Sequence, residues 1–265
     1  MKINRGKINN IAGDRKIIFC EGTHNSIDIV FYKNILGIDA RKFEFKPLGS
    51  SSNLLNYGRM NLIENGFCII DRDFRTDEEI KELESKYKIK FLRVHELENF
   101  LLNVTYLYKL DYIKQNININ DIVNDIIQEN KNRLFADYLQ YKINNYLNGT
   151  DYKFPRIVGL KNNEIVNINE DEIIKKLLKK LEKNSSKIEI KIKDIKEKLI
   201  SQWKNEFKLL PVELLPGKEI FKKIKNKIFT ISINESDIAN DIAKLMSKDN
   251  YLPNELKNIF THSKL

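Results

Sequence analysis

Acidic side chains follow several apolar runs in the first hundred residues, at the point where each run ends. The runs have the length and composition of buried strands. In chain order these acids are Glu21, Asp71, Asp73, Glu96 and Glu98. Because the carboxyl ends of parallel strands lie at one edge of a sheet, we expect the carboxylates to converge there. Carboxylates at close range repel one another unless a cation or shared proton intervenes, and an all-oxygen ligand set suits Mg²⁺ or Mn²⁺.

A single acid of this kind has a simpler structural explanation. Acids at strand-to-helix junctions often cap the next helix, as Asp73 or Asp77 could do here. Three acidic sites at the same sheet edge favour a metal centre over three separate caps. His24 and His95 stand beside these acids and could assist a base or a metal, but the sequence favours ordinary solvated or hydrogen-bonded histidines.

The elements that must position these acids alternate between strand and helix. Strands are predicted at 16–20, 43–45, 67–70 and 89–94. Helical spacing of apolar residues predicts helices at 26–36, 54–64, 76–87 and 97–102. Fully apolar strands that alternate with helices indicate a parallel sheet covered on both faces, so the predicted fold class is α/β.

After residue 103 the pattern changes to amphipathic helices with little strand signal. Helices are predicted at 121–148, 170–183, 218–227, 235–247 and 253–262. The segment 187–198 leaves helix and strand open. We therefore divide the chain into an α/β core at 14–102, a helical, lysine-rich lobe at 103–210, and a C-terminal segment at 211–265 that returns to the core.

Composition excludes several classes of protein. A chain of 265 residues with 42 % hydrophobic residues can bury a core, which excludes wholesale disorder. No apolar run approaches the roughly 18 residues of a membrane span, and the polar start lacks the pattern of a signal peptide. We therefore expect a cytoplasmic protein without a membrane partner. The two cysteines, Cys20 and Cys68, each lie in an apolar run and exclude a disulfide scaffold and a cysteine zinc site.

The positive charge is concentrated in one part of the chain. The formal net charge is +9, and the segment 171–227 contains 17 lysines against 9 acids. One interpretation is a solvated, lysine-rich helix surface, and the other is a lobe that binds a polyanion. The sequence leaves both open, although a pI near 9.2 is typical of a protein with an anionic partner.

In their order along the chain, these motifs resemble the Toprim domain, which topoisomerases, bacterial primases and the overcoming-lysogenization-defect (OLD) nucleases share. An apolar strand that ends in Glu-Gly precedes one that ends in Asp-x-Asp. A closer resemblance is to the small stand-alone Toprim nucleases found beside ABC-type ATPases in anti-phage systems, including the nuclease subunit of the PARIS system. The segments that carry it are EGTHNSIDIVFY, DRD, HELENFLL and LLPGKEIFK.

The resemblance implies a Toprim-like parallel sheet flanked by helices, with a large helical insertion or second lobe. It also implies an endonuclease that hydrolyses phosphodiester bonds with Mg²⁺ (or Mn²⁺). The implied catalytic residues are Glu21, Asp71, Asp73 and Lys218. The implied metal ligands are Glu21, Asp71, Asp73, Glu98, Glu96 and Asp28. Lys218 follows a Pro-Gly turn and would stabilise charge on the phosphate, whereas the residues alone equally allow an ordinary surface lysine.

The resemblance further implies nucleic acid as the substrate, with RNA such as tRNA favoured over DNA. It implies an effector of anti-phage defence that an ABC-type ATPase sensor subunit controls, and it leaves a homodimer open. The alternatives are a DNA nuclease or nickase of OLD type and a non-catalytic subunit that binds nucleic acid or the ATPase. A haloacid-dehalogenase-type phosphatase is disfavoured because its Asp-x-Asp follows the first strand. ATP hydrolysis by this chain is disfavoured because Val212 and Glu219 break the Walker A pattern.

Overall fold

A four-stranded parallel sheet is the centre of the computed structural model, which describes residues 15–147, 169–182 and 189–261. Its strands are β1 (Lys16–Cys20), β2 (Phe43–Pro47), β3 (Gly66–Ile70) and β4 (Ile89–Phe91). Their order across the sheet is β2-β1-β3-β4, and all three pairings are parallel. The predicted α/β class with a helix-flanked parallel sheet is therefore confirmed.

Twelve α-helices are present in the described ranges. In chain order they are α1 (Ile27–Ile35), α2 (Ser51–Arg59), α3 (Asp77–Lys86), α4 (Glu98–Leu101), α5 (Val104–Leu107), α6 (Ile119–Tyr146), α7 (Glu170–Glu182), α8 (Glu189–Lys198), α9 (Lys204–Lys208), α10 (Gly217–Ile228), α11 (Glu235–Lys248) and α12 (Asn254–Thr261). The described residues form two compact units, of which the first comprises 15–117 and 228–261, and the second comprises those described between 118 and 227. None of the described helices combines the length and apolar character needed to cross a membrane.

Helices cover both faces of the sheet in the first unit. The face toward α2 and α3 buries Phe19, Leu54, Ile80 and Phe91 in one cluster. On the opposite face, Tyr32 of α1 stacks on Phe45 of β2 and meets Phe260 of α12 edge-on. Successive side chains of a strand point to opposite faces, so burial on both faces explains why the central strands β1 and β3 are almost entirely apolar. The edge strands β2 and β4 are less buried and contain Glu44, Lys46 and Lys90.

The order of the strands reverses at β1. The first crossover leads from β1 to β2 on one side, and the next returns past β1 to β3 on the other side. Ile18 therefore lies beside Phe67 in the register of the two central strands. In open parallel sheets, ligands bind at this switch point, outside the carboxyl ends of the strands. The residues that follow β1 and β3 leave the sheet side by side there.

The second unit is helical in its described part. Its core includes Phe135 of α6 and Phe207 of α9, whose ring centroids are 5.2 Å apart. The apolar stripe of α7 is buried, with Ile173 and Leu181 fully enclosed. The segment left open at 187–198 is helical from Glu189 onward, and residues 187–188 lie outside the described ranges. A π-helical turn over Leu199–Trp203 connects α8 to α9.

Several boundaries differ from the sequence-based expectations, and contacts in the structure explain three of them. β4 ends at Phe91 because the N–H of Arg93 donates to Glu255 Oε2 instead of a neighbouring strand. α2 starts earlier than predicted because the Ser50 hydroxyl caps it, accepting a hydrogen bond from Asn53 N–H. The first unit continues past residue 102, since α5 packs against α11.

Two glycines, one just after β1 and the other just after β2, pair with each other beside the predicted site. The N–H of Gly22 donates to the carbonyl of Gly49 at 2.7 Å. Both residues have left-handed backbones, with φ of +81° and +85°. A Cβ on Gly22 would lie 2.4 Å from Cβ of Ser26, whereas a Cβ on Gly49 would meet only the flexible amide of Asn53 at 3.4 Å. Both positions therefore require a left-handed backbone, but only Gly49 has room for a side-chain carbon.

We expect Gly22→Ala to lower the free energy of unfolding by about 2–4 kcal/mol, because backbone strain and overpacking add. Gly49→Ala is the matched control, with an expected loss of about 1–2 kcal/mol from the backbone alone. Urea unfolding of both variants measures the difference. Equal losses would contradict the close contact between Gly22 and Ser26.

Candidate metal centre

Glu21 follows β1 directly and places its carboxylate at the switch point. Its Oε1 atom is buried and accepts no hydrogen bond within the described part of the chain. Burial raises the pKa of Glu21 most, and the negative charge of Asp73 raises it further. The backbone amides of Asp71 and Ser51 act in the opposite direction, and the pKa stands at about 7. The carboxylate is thus held in place without enough positive charge or hydrogen bonding to stabilise its ionised form.

Asp71 follows β3 and lies among four further carboxylates. Burial is the main cause that raises its pKa well above the usual value, and the neighbouring negative charges add to it. In order of their effect these neighbours are Asp28, Glu21, Glu96 and Glu98. The N–H of Leu97 donates to Asp71 Oδ1 at 3.2 Å, which fixes the orientation of the carboxylate. Asp71 is therefore close enough to four other acids to be influenced by their charge.

The turn after β1 also brings the first helix to this site. The hydroxyl of Ser26 donates to the carbonyl of Glu21 at 3.2 Å. Ser26 immediately precedes α1, whose first turn carries Asp28. A carboxylate in the first turn of a helix lies near the positive end of the helix dipole, which partly offsets the repulsion from its acidic neighbours. The short Glu-Gly turn therefore explains how Glu21 and Asp28 reach the same edge of the sheet.

The loop after β4 supplies the remaining acids and is tied down from both sides. The carbonyl of His95 accepts a hydrogen bond from Asp73 N–H at 2.8 Å, which connects this loop to the loop after β3. Glu98 begins α4 and is only 7 % exposed. Glu255, from near the end of the chain, anchors the start of the loop through Arg93 N–H at 3.1 Å. The positions of Glu96 and Glu98 therefore depend on long-range contacts.

The structure brings most of the predicted site residues together. Those that meet around Asp71 are Glu21, Asp28, Glu96 and Glu98. Asp73 lies beside Glu21, and its carboxylate forms an ion pair with Arg75. Lys218 is an exposed residue in the first turn of α10, in the second unit, so its role at the carboxylates stays a prediction.

Sequence reasoning missed Arg75 as part of this site. Its Nη1 lies 2.6 Å from Asp73 Oδ2, and its positive charge lowers the pKa of Glu21. The available signal was an arginine two residues after the Asp-x-Asp triplet. His95, considered as an assistant, is buried with its ring edge-on to Phe74, while His24 is exposed.

The oxygen donors at this edge fit a hard divalent cation. Within 15–147, 169–182 and 189–261, no three or more His, Cys, Asp or Glu side chains are already arranged to hold a metal ion. The unpartnered Oε1 of Glu21 and the raised pKa of Asp71 nevertheless indicate a shortage of positive charge at this position. Mg²⁺ and Mn²⁺ prefer oxygen ligands of this kind and would relieve the repulsion.

Comparison with known proteins adds no relative to this description. No protein-family model, curated protein or solved structure matches the chain. The resemblance to Toprim nucleases stays a prediction that depends on the motifs and their order. The strand-end positions of Glu21 and Asp71 in the fold are independent of that resemblance.

The pKa of Glu21 predicts how stability changes with pH in the absence of divalent ions. Its folded-state pKa of about 7 lies above the usual 4.5, so folding favours the neutral form. We expect the free energy of unfolding to fall by about 2–3 kcal/mol as the pH rises from about 4.5 to about 7. Asp71 acts in the same direction, because its pKa is also raised.

Urea titrations in EDTA at a series of pH values measure this loss. Glu21→Gln has no proton to lose and should therefore be more stable than the wild type above pH 7 while showing a weaker pH dependence. A control is Glu82→Gln, which removes an exposed carboxylate on α3. Identical pH profiles for wild type and Glu21→Gln would rule out the desolvation of Glu21.

Proposed function

We propose that this protein is a metal-dependent phosphodiester hydrolase that acts on nucleic acid as an endonuclease. The observation that supports the proposal is the convergence of Glu21 and Asp71 with three further carboxylates at the switch point of the sheet. The buried, unpartnered oxygen of Glu21 supports a cation at this position. The resemblance to Toprim nucleases is the basis for choosing phosphodiesters over other substrates.

Glu21 and Asp71 would hold Mg²⁺ or Mn²⁺, and Glu98, Glu96 and Asp28 are available to complete the ligand set. A bound divalent ion of this type activates water and stabilises negative charge on a phosphate. Backbone amides orient both principal carboxylates, from Ser51 to Glu21 and from Leu97 to Asp71. This fixes the ligands before substrate arrives, which lowers the cost of reorganisation during the reaction.

The outward face of α7 is the part of the second unit that we propose to contact the nucleic-acid backbone. Lys175, Lys176 and Lys179 are exposed there, and they form no ion pair with any residue that the structure describes. Other lysines nearby are neutralised: Lys204 lies 2.7 Å from Asp171, and Lys196 lies 2.5 Å from Glu182. Lysines without an ion-pair partner attract phosphates and displace the counterions that surround a nucleic acid, whatever its base sequence.

The finer parts of the proposal are supported by the resemblance alone. They are RNA such as tRNA as the preferred polymer, a role as effector in anti-phage defence, control by an ABC-type ATPase sensor subunit, and a cytoplasmic location. Lys218 remains the residue predicted to stabilise the negative charge that develops on the phosphate. Its side chain is exposed in the first turn of α10, where a substrate could reach it.

Cleavage of plasmid DNA and of a total tRNA pool, in Mg²⁺, Mn²⁺ or EDTA, tests the activity. We expect cleavage only with divalent ions, and a loss of about 100-fold or more in Glu21→Gln and Asp71→Asn, because each substitution removes a charged ligand. Glu82→Gln is the matched control, since it neutralises an exposed acid of the same unit and should retain activity. Cleavage that survives both site substitutions would refute the assignment.

Binding in EDTA tests the lysine face separately from catalysis. The variant Lys175→Gln with Lys179→Gln should weaken binding of labelled tRNA or duplex DNA and flatten the salt dependence. The slope of log affinity against log salt should decrease in size by about 1.4–1.8 for two lost phosphate contacts.

Lys196→Gln with Lys204→Gln is the matched control, because it removes the same charge from lysines that are already paired. Its salt slope should stay close to that of the wild type. Equal changes in the two double variants would show that only net charge matters, and would contradict a specific role for the outward face of α7.

A further inference from the structure

Arg75 forms an ion pair inside the candidate metal centre. Its Nη1 lies 2.6 Å from Oδ2 of Asp73. The guanidinium group carries a positive charge at any physiological pH. A predicted metal ligand is therefore already matched with a cation that belongs to the chain itself.

The side chain of Arg75 is anchored on several sides and is only 13 % exposed. The same nitrogen donates to two backbone carbonyls of the loop, those of Asp71 at 3.2 Å and Arg72 at 3.0 Å. The guanidinium carbon lies 5.1 Å from the centroid of the Phe91 ring, within the range of a cation–π interaction. The Nε of Arg72 in turn donates to the carbonyl of Arg75. These contacts keep the positive charge in place.

The backbone of Asp73 is held in an unusual conformation that keeps its carboxylate beside Arg75. Its φ of +52° is left-handed, which costs a residue with a side chain of order 1 kcal/mol or more. The hydrogen bond from Asp73 N–H to the carbonyl of His95 offsets part of this cost. The conformation is thus maintained by contacts that also orient the ion pair.

We infer that Arg75 takes the place of a second metal ion, so that the centre binds one divalent cation, at Glu21 and Asp71, while Asp73 holds Arg75. The inference rests on the proposed metal centre and specifies its stoichiometry. In two-metal sites the ions lie roughly 3.5–4 Å apart and share carboxylates between them. A second divalent ion bound to Asp73 would lie only a few ångströms from the anchored guanidinium of Arg75. The two positive charges would then repel each other.

Titration of the full chain with Mn²⁺, followed by the electron paramagnetic resonance signal of the free ion, measures the stoichiometry. We expect one Mn²⁺ per chain in the wild type and none in Glu21→Gln over the same range. Asp73→Asn should still bind one ion, but more weakly, because it leaves the positive charge of Arg75 uncompensated near the ion. Arg75→Met keeps an apolar side chain near Phe91 but removes the charge, and it should bind two ions, whereas Arg75→Lys should bind one.

Arg93→Met is the matched control, because it removes an arginine of the same unit whose Nη2 pairs with Glu84 at 2.8 Å. It should bind one ion. Any of three results would overturn the inference. They are two ions in the wild type, one ion in a folded Arg75→Met, and a loss of binding in Asp73→Asn as complete as in Glu21→Gln. No binding by the wild type would instead refute the proposed metal centre. Thermal melts establish whether each variant is folded. If Arg75→Met does not fold, the number of ions bound by the wild type and by Asp73→Asn tests the inference.

Discussion

The first unit of this protein must accommodate carboxylates that are buried side by side at the ends of two neighbouring strands, and this is the constraint on which the site depends. Glu21 and Asp71 emerge from β1 and β3 with the spacing of paired strands, and the raised pKa of each reflects burial beside other acids. A folded chain keeps such an arrangement only when other interactions stabilise the fold by more free energy than the buried carboxylates cost. The apolar packing on both faces of the sheet provides this stabilisation.

The acids are fixed by segments from widely separated parts of the sequence. A backbone amide at the start of α2 faces Glu21, and one in the loop after β4 holds Asp71. That loop is anchored by Glu255, which is 162 residues away from Arg93 along the chain. The return of the chain to the first unit at residue 228 is therefore part of how the site is built. α11 supports the same arrangement, since it packs along α1, whose first turn carries Asp28.

Local patterns predicted much of this fold, and long-range contacts account for what they missed. The apolar run of β1 and the capping sequence of α3, where Thr76 and Glu79 cap each other, define their elements from neighbouring residues alone. The end of β4 depends on Glu255, and no pattern near residue 91 contains that information. The same holds for the site: position at a strand end predicted Glu21 and Asp71. The pairing of Asp73 with Arg75 depends on a left-handed backbone that the sequence does not specify.

The two kinds of basic residue serve different physical purposes in this chain. Near the carboxylates the positive charge comes from arginines, whose planar group makes several hydrogen bonds at once and stays where it is anchored, as Arg72 and Arg75 do. The segment 171–227 contains lysines and no arginine. A lysine is a hydrated charge on a flexible stem, suited to a phosphate backbone whose exact position varies. Under the proposed function, the anchored arginines would balance the carboxylates of the site, and the flexible lysines of the second unit would follow a phosphate backbone.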